Sequence, residues 1–497
     1  MPANYGKTVS ILILLHLAIA LPFAYSLNIW VDEASTLYTT QHGFFQALHN
    51  LFTDEKQAPL YFLLLSLWRK LDNSIFFARL FSIICSAAAI FVFSQMARKI
   101  WDEKTTLFLT AAFALHPYLF WASLEIRLYS FVILITGLLF TFFYDGYLRE
   151  ENAAGKSRIY FTLAAVAALY TNYYLGFWLV GGFFALIVLR RRSAAKSYFW
   201  QMLIVSAAIV PLFWIISWQF GDRAVTFQNE KTFIGGSRML WNHFLTFALP
   251  TEIFPTEQIS VFSAVRLWLV RLSIAAVIFV FAKNKFKDLD QNIIASGTIA
   301  AVCGVFFLFV YFQLGSGYVE IRHAAVYYTA IFLFVSATLV KILPKKLLIS
   351  SAFLYGVFFV YALLALYPNA TKRGDWARVA AYIETYEKPN QPIVSFPVYE
   401  TIALPFYYKG ANKILPAEKF FSFFAEGKSG SPQNFQRQIE FVISEIPPEA
   451  EEVWLLTSDN CEVGQACEPL ENFVQANYTV IEEKDFYKEK VRLLKKK

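Results

Sequence analysis

Apolar runs of about twenty residues, the length that crosses the hydrocarbon core of a bilayer, recur through most of this chain before residue 368. They read as spans at 8–27, 76–97, 105–122, 128–148, 158–172, 173–189, 200–218, 262–282, 292–313, 323–340 and 347–366, about eleven crossings in all. Backbone groups in lipid must satisfy one another, and helices do so within a single segment. The expected fold class is therefore a polytopic α-helical membrane protein. Composition agrees: of 497 residues 57% are hydrophobic and 16% charged, against about a quarter charged in a soluble domain. The first run lacks a small-residue cleavage site and reads as a retained span. The net charge of +7 sits in basic loops between spans, which points to a bilayer and away from nucleic acid. No Gly-rich phosphate loop opens a helix after a strand, and no Cys or His cluster has metal-ligand spacing.

The run Pro59–Trp68 is too short to cross and reads as an interfacial or re-entrant helix in the first outer loop, 28–75. With the amino terminus in the cytoplasm and this segment not crossing, the inner connections hold Arg98, Lys99, Arg158, Arg190, Arg191, Arg192, Lys283 and Lys341. That distribution is the positive-inside pattern of a multi-pass protein of the cell (inner) membrane, and it places the last segment outside. Residues 1–368 are thus expected as the transmembrane domain, with a further outer loop at 219–261. Residues 369–497 are expected as an extracytoplasmic α/β domain, with a helix over Trp376–Tyr386 and strands at Ile393–Phe396, Val453–Thr457 and Val491–Leu494. On the oxidising side Cys461 and Cys467 are candidates for a disulfide, with two free thiols as the alternative.

The unusual polar residues fall on the same expected face. Asp32 and Glu33 open the first outer loop, Arg79 starts the second span, Glu125, Arg127 and Tyr129 surround the next outer turn, and Arg322 and His323 begin the tenth span. Ionisable groups at such depths are costly and mark function by default. Cations converging from three helix ends suggest a bound anion. Arginine's planar fork suits phosphate, and a phosphate at the membrane boundary suggests a lipid phosphate. If that lipid carries a sugar, phosphate leaves with help from cations, and an acceptor hydroxyl needs a carboxylate base, worth about 10²–10⁴-fold. Asp32 and Glu33 are the candidate catalytic acids, and Arg79, Arg127, Arg322 and His323 the candidate phosphate contacts. Glu125, Tyr129, Tyr61, His116 and His243 are candidate pocket residues. No cofactor is required by this chemistry; a divalent metal on Asp32 and Glu33 stays open.

Asn28–Ala34 with its Asp-Glu pair, Ala58-Pro59-Leu60-Tyr61, Ala78-Arg79-Leu80 and Glu125-Ile126-Arg127-Leu128-Tyr129 together resemble the bacterial GT-C glycosyltransferases. The likeness is to the dolichyl-phosphate-mannose-protein mannosyltransferase-like group (family 39) and its aminoarabinose-transferase-like relatives. It is strong over about the first 150 residues and weaker beyond, where Gly374-Asp375-Trp376 resembles a common start of the outer domain. It implies a GT-C fold and inverting transfer of a sugar from a polyprenyl-phosphate donor to a glycan, lipid or protein acceptor on the outer face. Asp32 is implied as the key acid, and Tyr61 falls in the motif of the short outer helix. Relatives often carry a basic residue before the prolines of that helix, whereas this chain has Gln57-Ala58-Pro59. The competing readings are a transporter or flippase for a lipid-linked anion, and a binder of lipid-linked sugar phosphate that does not turn it over. The first predicts midplane charges and internal repeats, neither of which is evident.

Overall fold

The computed structural model describes residues 3–55, 57–149, 154–220, 232–248, 290–315, 319–342, scattered positions from 344 to 372, and 374–396, 398–415, 432–458 and 467–497. Helix α1 (Ala3–Ser26) leads into three short helices, α2 (Val31–Thr40), α3 (Phe44–Asn50) and α4 (Leu60–Trp68). The long helices follow: α5 (Ile75–Ile100), α6 (Glu103–Ala114), α7 (Pro117–Leu124), α8 (Tyr129–Phe143), α9 (Ala154–Thr171), α10 (Leu175–Val188), α11 (Arg192–Ala208), α12 (Val210–Phe220) and α13 (Phe233–Ala248), then α14 (Gln291–Leu314) and α15 (Ala325–Ile342). Among the described residues five helices are long and apolar enough to cross a bilayer, or up to seven if each of two bent pairs is one span. The expected span 262–282 lies outside the described residues, as does most of 347–366. The nine residues of α4 reach only about 13 Å, well short of a crossing.

Local chemistry sets the breaks. Between α9 and α10, Asn172 accepts the Tyr174 N–H at 2.8 Å, an Asx turn of the kind that reverses a chain. Between α6 and α7 the axis bends by 49° because Pro117 has no N–H to continue the ladder. His116 Nδ1 accepts the Tyr118 N–H at 3.2 Å, which leaves the Ala114 carbonyl without its helical donor. His16 Nδ1, from α1, takes that carbonyl at 2.8 Å, and its Nε2 meets the Ser86 hydroxyl of α5 at 2.9 Å. Packing around the break is aromatic: Phe93 and Phe113 stack at 4.3 Å, with Phe332 edge-on to both.

After residue 372 the chain builds a five-stranded sheet in the order β2-β1-β3-β5-β4. Its strands are β1 (Ile393–Phe396), β2 (Ile414–Leu415), β3 (Glu452–Ser458), β4 (Tyr478–Phe486) and β5 (Glu489–Lys496). The three expected strands are present, and β2 and β4 are additional. β1 lies parallel to β2 and β3, whereas β3, β5 and β4 run antiparallel. Alternate residues face opposite sides. Ile393, Trp454, Leu456, Val491 and Leu493 join the main helical core. Val394, Phe396, Val453, Leu455 and Leu494 pack on Ile439 of α17 (Pro432–Glu445) and Leu470 of α18 (Glu468–Asn477). The first helix of this region, α16 (Trp376–Tyr386), forms over the expected residues. Cys85 and Cys303 are free and buried; the proposed Cys461–Cys467 pairing turns on Cys461, which lies outside the described residues.

Candidate functional site

The end of α1, the starts of α5, α8 and α15, and the end of α7 come together at one end of the bundle, and the short helix α2 crosses them. Asp32 and Glu33 are in the first turn of α2, where the helix dipole favours acids. Successive residues on a helix point about 100° apart, and the two carboxylates serve different partners.

Glu33 points inward and is fully buried. Its carboxylate accepts from Lys372 Nζ at 2.8 Å, from the Ile126 N–H at 2.9 Å and from Arg79 at 3.3 Å. Burial works against its charge, but Lys372 and Arg79 outweigh that and hold the carboxyl below the usual range. Glu125, at the end of α7, lies 3.0 Å from the same ammonium and accepts the Trp30 indole N–H at 2.6 Å. Burial pushes the Glu125 carboxyl up, Lys372 opposes this, and the neighbouring Glu33 charge adds to the rise.

Asp32 points the other way and forms an ion pair with Arg322, whose guanidinium lies 5.8 Å from the Trp30 ring centre and 2.8 Å from Glu320. The Asp32 and Arg322 side chains are 23% and 22% exposed, against 0% for both Glu33 and Arg79. Two superposed layers result: a sealed charge network below, and a partly open acid–guanidinium pair above it.

Several expected assignments change with this geometry. Arg79 was expected to contact a donor phosphate. Instead it is buried and donates to the carbonyls of Ala24, Leu27 and Asn28 as well as to Glu33, so it splices the end of α1 to α2. Arg127 was likewise a candidate phosphate contact. It pairs with Glu55, donates to Thr36 Oγ1 at 2.8 Å and to the Asp32 carbonyl at 3.3 Å, and thereby braces α2. Burial opposes the Arg127 charge, but Glu55 and Asp32 raise its proton affinity further above its ordinary value.

His116 is the amino-terminal cap of α7, and Tyr61 is fully buried on α4. His243 is buried against the Tyr327 hydroxyl at 2.6 Å and the Val319 carbonyl at 3.2 Å. His323 Nδ1 accepts the Glu320 N–H at 3.0 Å and meets the Tyr174 ring edge-on. Tyr129 stacks on Trp121 at 5.0 Å and is buried. Among the described residues no group of three or more His, Cys, Asp or Glu side chains is placed to hold a metal, and the Asp32 and Glu33 carboxylates pair with separate cations.

Lys372, Glu55 and Trp30 belong to the site and were not singled out from the sequence. For Lys372 the available signal was its position two residues before the Gly374-Asp375-Trp376 motif. Glu55 carries no distinguishing signal, being one of several acids between residues 28 and 75 and next to Asp54.

No protein-family model and no curated protein matches the chain. Among solved structures, it is similar to ArnT from Cupriavidus metallidurans bound to undecaprenyl phosphate, at 13% identity and a TM-score of 0.48, over 99% of this chain and 98% of that one. It is also similar to the Archaeoglobus fulgidus oligosaccharyltransferase in the apo form, at 12% identity and a TM-score of 0.45, over 93% of this chain and 70% of that one. Likeness at this level assigns no residue a role.

Proposed function

We propose that the chain is an inverting glycosyltransferase that moves a sugar from a polyprenyl-phosphate donor to an acceptor hydroxyl at the outer face of the cell membrane. The observation that carries this reading is the partly open Asp32–Arg322 pair set over a sealed charge network. The sequence motifs that resemble GT-C enzymes run through the same residues.

In this scheme the acceptor oxygen attacks the anomeric carbon while Asp32 takes its proton. The bond from that carbon to the phosphate oxygen breaks, and the polyprenyl phosphate leaves with the electron pair. Protonation neutralises Asp32 as the leaving phosphate gains charge, so Arg322 is released from one anion when the next one forms. A guanidinium fork suits two phosphate oxygens, and a cation placed where charge develops is the larger share of many rate enhancements. Glu33, Arg79 and Arg127 hold the frame and do not touch substrate. The reaction so written needs no cofactor.

Asp32→Asn keeps shape and removes the base. The expected result is loss of donor turnover by at least about 10²-fold, with unchanged yield and helix content of the purified protein. Turnover at the wild-type rate refutes the role. Lipid and glycan profiling of a strain lacking the gene identifies the sugar and acceptor: a glycoconjugate that loses one sugar while its lipid-linked donor accumulates supports transfer. Donor trapped on the inner face alone supports a flippase.

A further inference from the structure

The chain after the last expected span returns to the site and is gripped there. The Asn28 side chain donates to the Gly374 carbonyl and accepts the Lys372 N–H at 2.7 Å. That grip delivers the Lys372 side chain into a position only 5% exposed. Its Nζ donates to Glu33 Oε1 at 2.8 Å and to the Leu124 carbonyl at 2.7 Å, and lies 3.0 Å from Glu125 Oε1. An ammonium has three protons, and each has an oxygen here.

Glu33 and Glu125 stand on the two connections that carry the site, one after α1 and one after α7. Without the ammonium they are buried like charges, which raise one another's proton affinity and repel. Glu33 keeps Arg79 and the Ile126 and Trp30 N–H groups. Glu125 keeps the indole N–H of Trp30, whose ring lies against the Arg322 guanidinium that holds Asp32.

We propose that Lys372 is a positioning residue of the transfer reaction: by neutralising Glu33 and Glu125 together it fixes Trp30, and through Trp30 the Arg322–Asp32 pair. The inference rests on the transferase reading. Lys372 touches no reacting atom; it makes the segment after the last span part of the site's frame.

The test uses purified full-length protein, with donor lipids extracted from a strain lacking the gene and membranes of that strain as acceptor. Lys372→Met lowers kcat by about 10²-fold with donor KM within about threefold, the split expected when geometry and not binding is lost. Glu125→Gln, which keeps an acceptor for Trp30, lowers kcat by less than about tenfold. Adding Glu125→Gln to Lys372→Met removes the charge that the ammonium balanced. The double variant therefore recovers at least about tenfold over Lys372→Met and falls within about tenfold of Glu125→Gln. The comparison with Glu125→Gln decides the matter even if Lys372→Met alone fails to fold. A Lys372→Met protein with wild-type kcat, an effect confined to KM, or a double variant far below Glu125→Gln overturns the proposal. A wild-type protein that leaves every donor untouched sinks the transferase reading and this inference together, whereas the other three results sink this inference alone.

Discussion

Glu33 and Asp32 are neighbours in the chain, yet the physical demands on them are opposite. Glu33 has no exposed surface and four donors, Lys372, Arg79 and the Ile126 and Trp30 N–H groups; its charge exists because Lys372 and Arg79 are there. Removing one partner of such a buried pair costs about 3–5 kcal/mol. Glu33→Gln falls near the lower end, since Arg79 retains three carbonyls and Lys372 retains Glu125. The sign with pH follows from the depressed folded-state pKa. The stability supplied by ionised Glu33 is complete above the ordinary carboxylate value, about 4.3, and is lost as pH falls through the lower folded value. Glu33→Gln is therefore less stable than wild type at neutral pH, and the gap closes in acid. Thermal unfolding of both proteins in detergent across that range checks it; a gap that widens as pH falls contradicts the ion-pair account. The pair Asp32–Glu33 was legible as a site from its place after an apolar run. Which carboxylate faces in was not, because that is set by Lys372, 339 residues away. Nor was the burial of Arg79 legible. An arginine at a helix start reads the same whether it reaches out to phosphate or back to the open carbonyls of α1.

The elements divide along similar lines. Long apolar runs showed where the described long helices form, because the signal is strong and local, but not every end: α1 begins at Ala3 against an expected 8, and α11 at Arg192 against an expected 200. The break inside the third expected span was not expected, although His116-Pro117 stands in plain view; a proline in an apolar run is compatible with either a kinked or a divided helix. What divides it is the combination of the missing Pro117 N–H and the His116 cap, with His16 satisfying the carbonyl left over. A carbonyl accepts only, so His16 Nδ1 carries the proton, and Nε2 meets a Ser86 hydroxyl that also donates to the Ile83 carbonyl. His16→Leu leaves the Ala114 carbonyl and the Ser86 hydroxyl to rearrange in an apolar layer. It costs about 1–3 kcal/mol, the range for an unsatisfied buried polar group. Unfolding of the purified variant in detergent reads this, and a loss below about 0.5 kcal/mol means the break holds without its staple. Strands were harder. β1, β3 and the middle of β5 are apolar enough to show, whereas β4 runs through Glu482, Glu483, Lys484 and Asp485. Such charges suit an edge strand, where they discourage further pairing, and for that reason they conceal it from a hydrophobic pattern.

At the scale of the whole molecule, contacts between distant residues test the expected number of membrane crossings. Lys372 and Glu33 touch, as do Arg322 and Asp32. Residues in contact at one end of a bundle lie on one side of the bilayer, so the number of crossings between them is even. The expected spans between Glu33 and Lys372 number about ten, and those between Asp32 and Arg322 about eight. Both are even only if Leu60–Trp68 does not cross, which its nine residues also require. Cations gather at the other end of the same helices. Arg98 lies 4.7 Å from the Tyr5 ring centre, Lys99 pairs with Asp145, and Arg158 and Arg191 donate to the Gly146 carbonyl and to Gln291. Lysine and arginine favour the cytoplasmic side, so in the proposed topology the Asp32–Arg322 end faces out. Topology reporters fused after Lys497, and inserted in the exposed Leu71–Asn73 turn, should both signal from outside, and one fused ahead of Tyr5 from within. A cytoplasmic signal at Lys497 with an outer signal at Leu71–Asn73 requires an odd number of crossings between Glu33 and Lys372. Their hydrogen bond forbids that, so such a result removes the site's frame as well as its orientation. Concordant cytoplasmic signals at both places preserve the frame and move the proposed transfer to the inner face.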